Sequence, residues 1–176
     1  MRELANEKKI FEFFKFLGRR VRDEARVYLT GGSTAVLIGW RETTIDIDIR
    51  FEPELDELFR ALPELKEQLQ MNIELAAPSD FIPPLPHWHE RSQFITREGS
   101  VSFFHYDLYS QALSKIERGH EKDRQDVEAM LERSLIRSEK LLELFKAIEP
   151  DLYKYPAIDP KSFSRSVVDA VNSHSK

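Results

Sequence analysis

The chain has 176 residues, 41% of them hydrophobic, which suits one packed domain or a small core with an extension and argues against general disorder. It holds no cysteine, so disulfides, thiolate metal sites and cysteine nucleophiles are excluded. With 26 basic against 31 acidic residues the formal net charge is -5, which does not advertise general phosphate affinity.

The opening Met1-Arg2-Glu3-Leu4-Ala5 is charged and lacks the apolar core of a signal peptide. No apolar run approaches the roughly 20 residues needed to span a bilayer. The expectation is a cytoplasmic chain with no membrane partner. Residues 3–24 carry the broad apolar stripe of a helix, from Leu4 through Ile10, Phe13 and Phe14 to Leu17. The arginines that follow, Arg19, Arg20, Arg22 and Arg26, read as a solvated face. Residues 26–29 predict a short strand stopped by Thr30-Gly31-Gly32, and residues 33–39 a short helix. Residues 44–51 alternate strictly, with Ile45, Ile47 and Ile49 toward a core, and predict a strand.

A helix follows over 54–70, broken or restarted at Pro63, and then a strand over 71–76. Pro78, Pro83, Pro84 and Pro86 mark a loop without regular structure. Residues 92–97 and 101–108 predict a hairpin about Glu98-Gly99-Ser100. From there the pattern is helical, over 110–118, 122–135, 138–148 and 160–173. The order implies an α+β sheet domain over 1–108, with a helical region over 109–176 packed on it.

Asp46 and Asp48 are two apart on one strand, so their carboxylates project from the same face. Such a pair is costly without a compensating cation, and hard divalent ions such as Mg²⁺ seek carboxylate oxygens together with substrate phosphates. Taken alone, the pair is equally an acidic solvated edge. Just upstream, Gly31-Gly32-Ser33 would let backbone amides and a hydroxyl approach a phosphate at a helix start. His87 and His89 suggest no third metal ligand nearby, and Arg41 lies between the glycines and the acids, where it could reach a phosphate or be solvated.

Thr30-Gly31-Gly32-Ser33-Thr34-Ala35 followed by Thr43-Thr44-Ile45-Asp46-Ile47-Asp48 resembles the signature of the polymerase-β-like nucleotidyltransferase superfamily, closest to its AbiEii/MenT-like branch. The resemblance implies a nucleotidyltransferase-fold mixed sheet flanked by helices with a helical C-terminal extension. It implies that Gly31, Gly32 and Ser33 hold an NTP, and that Asp46 and Asp48 bind catalytic Mg²⁺ or Mn²⁺. Glu74 is its candidate third acid, with Ile73 and Leu75 toward the core, and Asp107 is the reserve, a buried or hydrogen-bonded structural Asp being equally open there. Leu113-Ser114-Lys115-Ile116 through Lys122-Asp123-Arg124-Gln125-Asp126 resembles a second hallmark of the branch, with Lys115 on the triphosphate and Asp123 orienting it. The implied activity is transfer of an NMP to a hydroxyl of RNA, such as a tRNA end, or of a protein, with a cognate antitoxin as a possible partner. The alternative is a non-catalytic nucleotide-binding or protein-interaction module on the same fold.

Overall fold

The computed structural model describes residues 2–175, which divide into two compact units: Met1–Ala77 with Ser92–Tyr106, and Pro78–Arg91 with Asp107–Lys176. The first unit contains helices α1 (Glu7–Arg20), α2 (Gly32–Ile38) and α3 (Asp56–Gln68) and strands β1 (Ala25–Thr30), β2 (Asp46–Glu52), β3 (Asn72–Leu75), β4 (Gln93–Glu98) and β5 (Val101–His105). The strands form one mixed sheet in the order β3-β2-β1-β5-β4. β1 runs antiparallel to β2 and parallel to β5, β2 is parallel to β3, and β4 is antiparallel to β5. The fold is the predicted α+β class, a five-stranded mixed sheet flanked by helices.

Alternation places one face of the sheet in the core. Val27, Leu29, Ile47, Ile49, Phe51 and Phe103 are buried together with Ile10, Phe13, Phe14 and Leu17 of α1 and Leu58, Leu62 and Leu65 of α3. Asn6 caps α1 by accepting from the Lys9 backbone N–H, which starts the helix four residues later than its apolar stripe suggests. At its other end α1 crosses the β4–β5 hairpin closely: a Cβ added at Gly18 would lie 2.6 Å from Glu98 Cβ. β4 carries a bulge between Phe94 and Thr96, so the faces of the strand change phase there. The opposite face of the sheet carries Tyr28, Thr30, Asp46, Asp48, Arg50 and Phe104, by alternation with the core residues.

Five local expectations are corrected. Pro63 lies inside α3 without ending it, because it is exposed, and water can meet the carbonyl it leaves without a helical partner. Ile45 is 59% exposed, since it precedes the paired strand, and Leu75 is 50% exposed, at the end of edge strand β3. The proline-rich segment holds a 3₁₀ turn, Pro78–Asp80, and a one-turn helix, α4 (Trp88–Arg91). β5 ends at His105, so Asp107 is not a strand residue.

The second unit gathers α4 and the 3₁₀ turn with α5 (Leu108–Arg118), α6 (Glu121–Glu132), α7 (Ser138–Ile148) and α8 (Pro160–His174). Leu113, Val127, Met130, Leu141, Phe145 and Phe163 are buried in it. Among the described residues no helix is long and apolar enough to cross a membrane.

Candidate nucleotidyl-transfer site

The chain leaves β1 at Thr30 and turns at Gly31, whose φ of 63° and ψ of -133° suit glycine alone. The turn lies hard against the acid strand. A Cβ at Gly31 would stand 2.9 Å from Asp48 Oδ2, and one at Gly32 would overlap the Thr44 hydroxyl. Arg41 flanks the same turn, its Nη1 3.5 Å from that second position. Gly32→Ala is therefore expected to cost about 1–3 kcal/mol through overpacking, read as a lower urea midpoint at unchanged slope.

Ser33 is fully buried, and its hydroxyl donates to the Thr30 carbonyl at 3.0 Å. The side chain that the sequence offered to a phosphate thus closes the turn from within. Thr34 Oγ1 donates to the Leu29 carbonyl at 3.3 Å and lies 3.1 Å from His105 Nδ1. With its proton directed at Leu29, that hydroxyl offers a lone pair to the ring, which sets the proton of His105 on Nδ1.

On β2, Asp46 and Asp48 are partly buried and alternate with the buried Ile47 and Ile49. Register sets Asp48 between Thr30 of β1 and Glu74 of β3, and Asp46 opposite Asn72. The Asn72 amide donates to Asp46 Oδ1 and, at 2.9 Å, to Glu74 Oε1. A neutral amide thus ties the strand acid to the edge acid, while Glu74 itself is exposed. The structure brings Gly31, Gly32, Asp46, Asp48 and Glu74 together in the first unit. Asn72 was missed in the sequence, although it shares Glu74's parity and so its face.

In the second unit Lys115 is 4% exposed. Its Nζ donates to Asp126 Oδ2 at 2.8 Å and to Asp123 Oδ1 at 3.3 Å. Asp123 also accepts from Arg118 at 2.7 Å, and that guanidinium sits 5.2 Å from the centre of the Phe81 ring. Lys115 and Asp123 therefore meet as the spacing of the second hallmark implied, inside a buried network that also takes in Asp126 and Arg118. Asp107 caps α5, accepting from the Tyr109 and Ser110 backbone N–H groups and from Arg91 at 2.9 and 3.1 Å. Its carboxylate is engaged in that cap and ion pair, the structural role that stood beside the reserve one.

A family model described as a nucleotidyltransferase of unknown function (DUF6036) matches residues 8–163. The chain belongs to that family. No curated protein and no solved structure matches the chain. The family match covers both the glycine turn with its acids and the Lys115 network.

The two strand acids would suit a hard divalent cation. Magnesium takes one or two carboxylates and completes its shell with phosphate oxygens and water, and Asp46 and Asp48 offer hard oxygens on one face. Among the described residues no group of three or more His, Cys, Asp or Glu side chains is assembled into a cage, so substrate oxygens would have to supply the rest.

Burial pushes His105 down to about 4 from 6.5. A group whose folded pKa lies below its unfolded value stabilises the fold above the unfolded pKa, and loses that contribution as pH falls toward the folded one. Stability is accordingly expected to decline between about pH 6.5 and 4, by about 3 kcal/mol in total. Urea midpoints measured across that range check it, and His105→Gln should flatten the upper part of the slope.

Proposed function

We propose that this family member is a magnesium-dependent enzyme that moves a nucleoside monophosphate from an NTP to a hydroxyl of an acceptor. The observation that supports it best is the contact between the glycine turn and the acid strand, with Gly31 placed directly on Asp48. A backbone able to approach phosphate and a pair of hard-oxygen donors thus adjoin in the first unit.

In the reaction the acceptor oxygen bonds to the α-phosphorus, the bond from that phosphorus to the bridging oxygen breaks, and pyrophosphate leaves. The acceptor's proton passes to solvent. Bound Mg²⁺ (or Mn²⁺) would lower the acceptor's pKa and offset charge developing on the phosphorus oxygens. Asp46 and Asp48 would hold that ion, Asn72 donates to Asp46 and so fixes its rotamer, and Glu74 adds negative potential beside Asp48. Gly31, Gly32 and the Ser33 backbone receive the β- and γ-phosphates, with the Arg41 guanidinium alongside. In the second unit Lys115 directs two N–H donors at Asp126 and Asp123, which holds its charge in a fixed place. Resemblance to the AbiEii/MenT-like branch favours a cognate antitoxin as a protein partner.

The test is incubation with each α-labelled NTP, Mg²⁺ and total RNA or lysate. Label should move to an acceptor with the native protein and not with Asp46→Ala/Asp48→Ala. NTP binding without transfer would identify a nucleotide sensor instead, and neither binding nor transfer would overturn the enzyme altogether.

A further inference from the structure

The sheet face that carries Asp46 and Asp48 also carries a row of aromatic rings that the transfer chemistry does not use. Register aligns Phe94 of β4 with Phe104 of β5, Phe104 with Tyr28 of β1, and Tyr28 with Arg50 of β2. Phe94 meets Phe104 edge-to-face at 5.7 Å between ring centres, and Phe104 stacks on Tyr28 at 5.3 Å. Tyr28 is buried and fixes the inner end of the row, whereas Phe94 is 61% exposed and Phe104 half-buried.

The next row is basic where the first is aromatic. The bulge in β4 brings Arg97 opposite Ser102, and Ser102 pairs with Arg26; the Arg97 guanidinium is held by Glu24 at 3.2 Å and donates to the Gly99 carbonyl at 3.0 Å, both exposed contacts that a phosphate could exchange. The Arg26 guanidinium lies 5.8 Å from the centre of the Phe104 ring. On the other side of the aromatic row, two residues further along β1 and β2, stands the Thr30–Asp48 pair.

An exposed Phe at the outer end of the row, with arginines beside it, is poorly explained by packing. It matches the way open sheets receive nucleic acid: bases stack on rings, while guanidinium groups meet the backbone phosphates. We propose that Phe94 and Phe104, with Arg26 and Arg97, form a stacking platform for unpaired bases of a single-stranded nucleic acid, the acceptor of the transfer. The occupant follows from charge and shape together. A duplex hides its base faces, and an acidic protein segment would have no use for two rings. This rests on the proposed transferase reading only in calling the bound strand the acceptor; the platform itself stands on the sheet.

The test is fluorescence anisotropy of a labelled, unstructured RNA of about 12 nucleotides against the full chain at low salt, with the same RNA annealed to its complement for comparison. The single strand should bind tighter than the duplex. Phe94→Ala should weaken it about tenfold, and Phe94→Trp should keep it, since every base has a face to stack and the indole offers a larger one. Phe94 is exposed, so the variants are expected to fold. Metal-dependent NTP binding is measured on the same preparations. Equal binding by native protein and Phe94→Ala, or no preference for the single strand, overturns the platform. Loss of NTP binding in Phe94→Ala with RNA binding intact would mean the rings take the donor's base, and also overturns it. Native protein that binds RNA through Phe94 but binds no NTP leaves the platform standing and removes the transferase reading.

Discussion

Asp48→Asn is expected to reduce label transfer by at least about 10²-fold, the scale on which loss of one group stabilising transition-state charge acts. Asp48 stands at the centre of the site: it lies beside Gly31, opposite Thr30 on one strand and Glu74 on the other. The substitution keeps the shape of the side chain and removes its charge, so the sheet should survive. Removing a carboxylate that pairs with Glu74 and shares its strand face with Asp46 relieves like-charge repulsion, and the unfolding midpoint should hold or rise slightly. Initial rates with α-labelled NTP, measured beside urea unfolding of the same preparation, separate lost chemistry from lost structure. Transfer within threefold of the native rate would remove Asp48 from the mechanism.

The second large effect concerns stability. Lys115→Met leaves Asp126 and Asp123 buried without the cation they share, and breaking a buried ion pair from one side costs about 3–5 kcal/mol. For a chain of this length that is a fall of about 10 °C or more in Tm. Adding Asp126→Asn to Lys115→Met should recover part of the loss, because the uncompensated charge then disappears; a double-mutant cycle measures the coupling. If Lys115→Met unfolds within about 1 kcal/mol of the native protein, the network is not what holds α5 to α6.

Much of the first unit was legible because its residues obey short periods. Strict alternation through Asp46-Ile47-Asp48-Ile49 fixes which side chains share a face, and two consecutive glycines after an aliphatic run stop a strand wherever they occur. The glycine turn and the acids could be joined from their order along the chain. What stayed hidden depends on contacts distant in sequence or on choices of a single turn. Whether the Ser33 hydroxyl faces outward or donates to Thr30 is decided by one rotamer inside a buried turn. Asn72 carries no charge to draw notice, yet its amide bridges two acids 28 positions apart in the chain, Asp46 and Glu74. The alternation of Phe-His-Tyr-Asp continues past the last paired residue, so a strand end and a helix cap look alike there; the observed cap bonds from Tyr109 and Ser110 settle it for Asp107. The spacing of Lys115 and Asp123 suggested a partnership but could not show that both are buried.

The bulge in β4 has a consequence for how much length change the hairpin tolerates. Ile95 and Thr96 both lie on the core side of the extra residue, and that double step is what returns Arg97 to the open face. Deleting either one would restore plain alternation and leave Arg97 opposite Ser102, on the same face as Phe94. Most surface hairpins absorb a lost residue by shortening their turn. This one can also lose a residue inside the strand, because removing Ile95 or Thr96 leaves the pairs on either side of the bulge, and so both faces of β4, in phase.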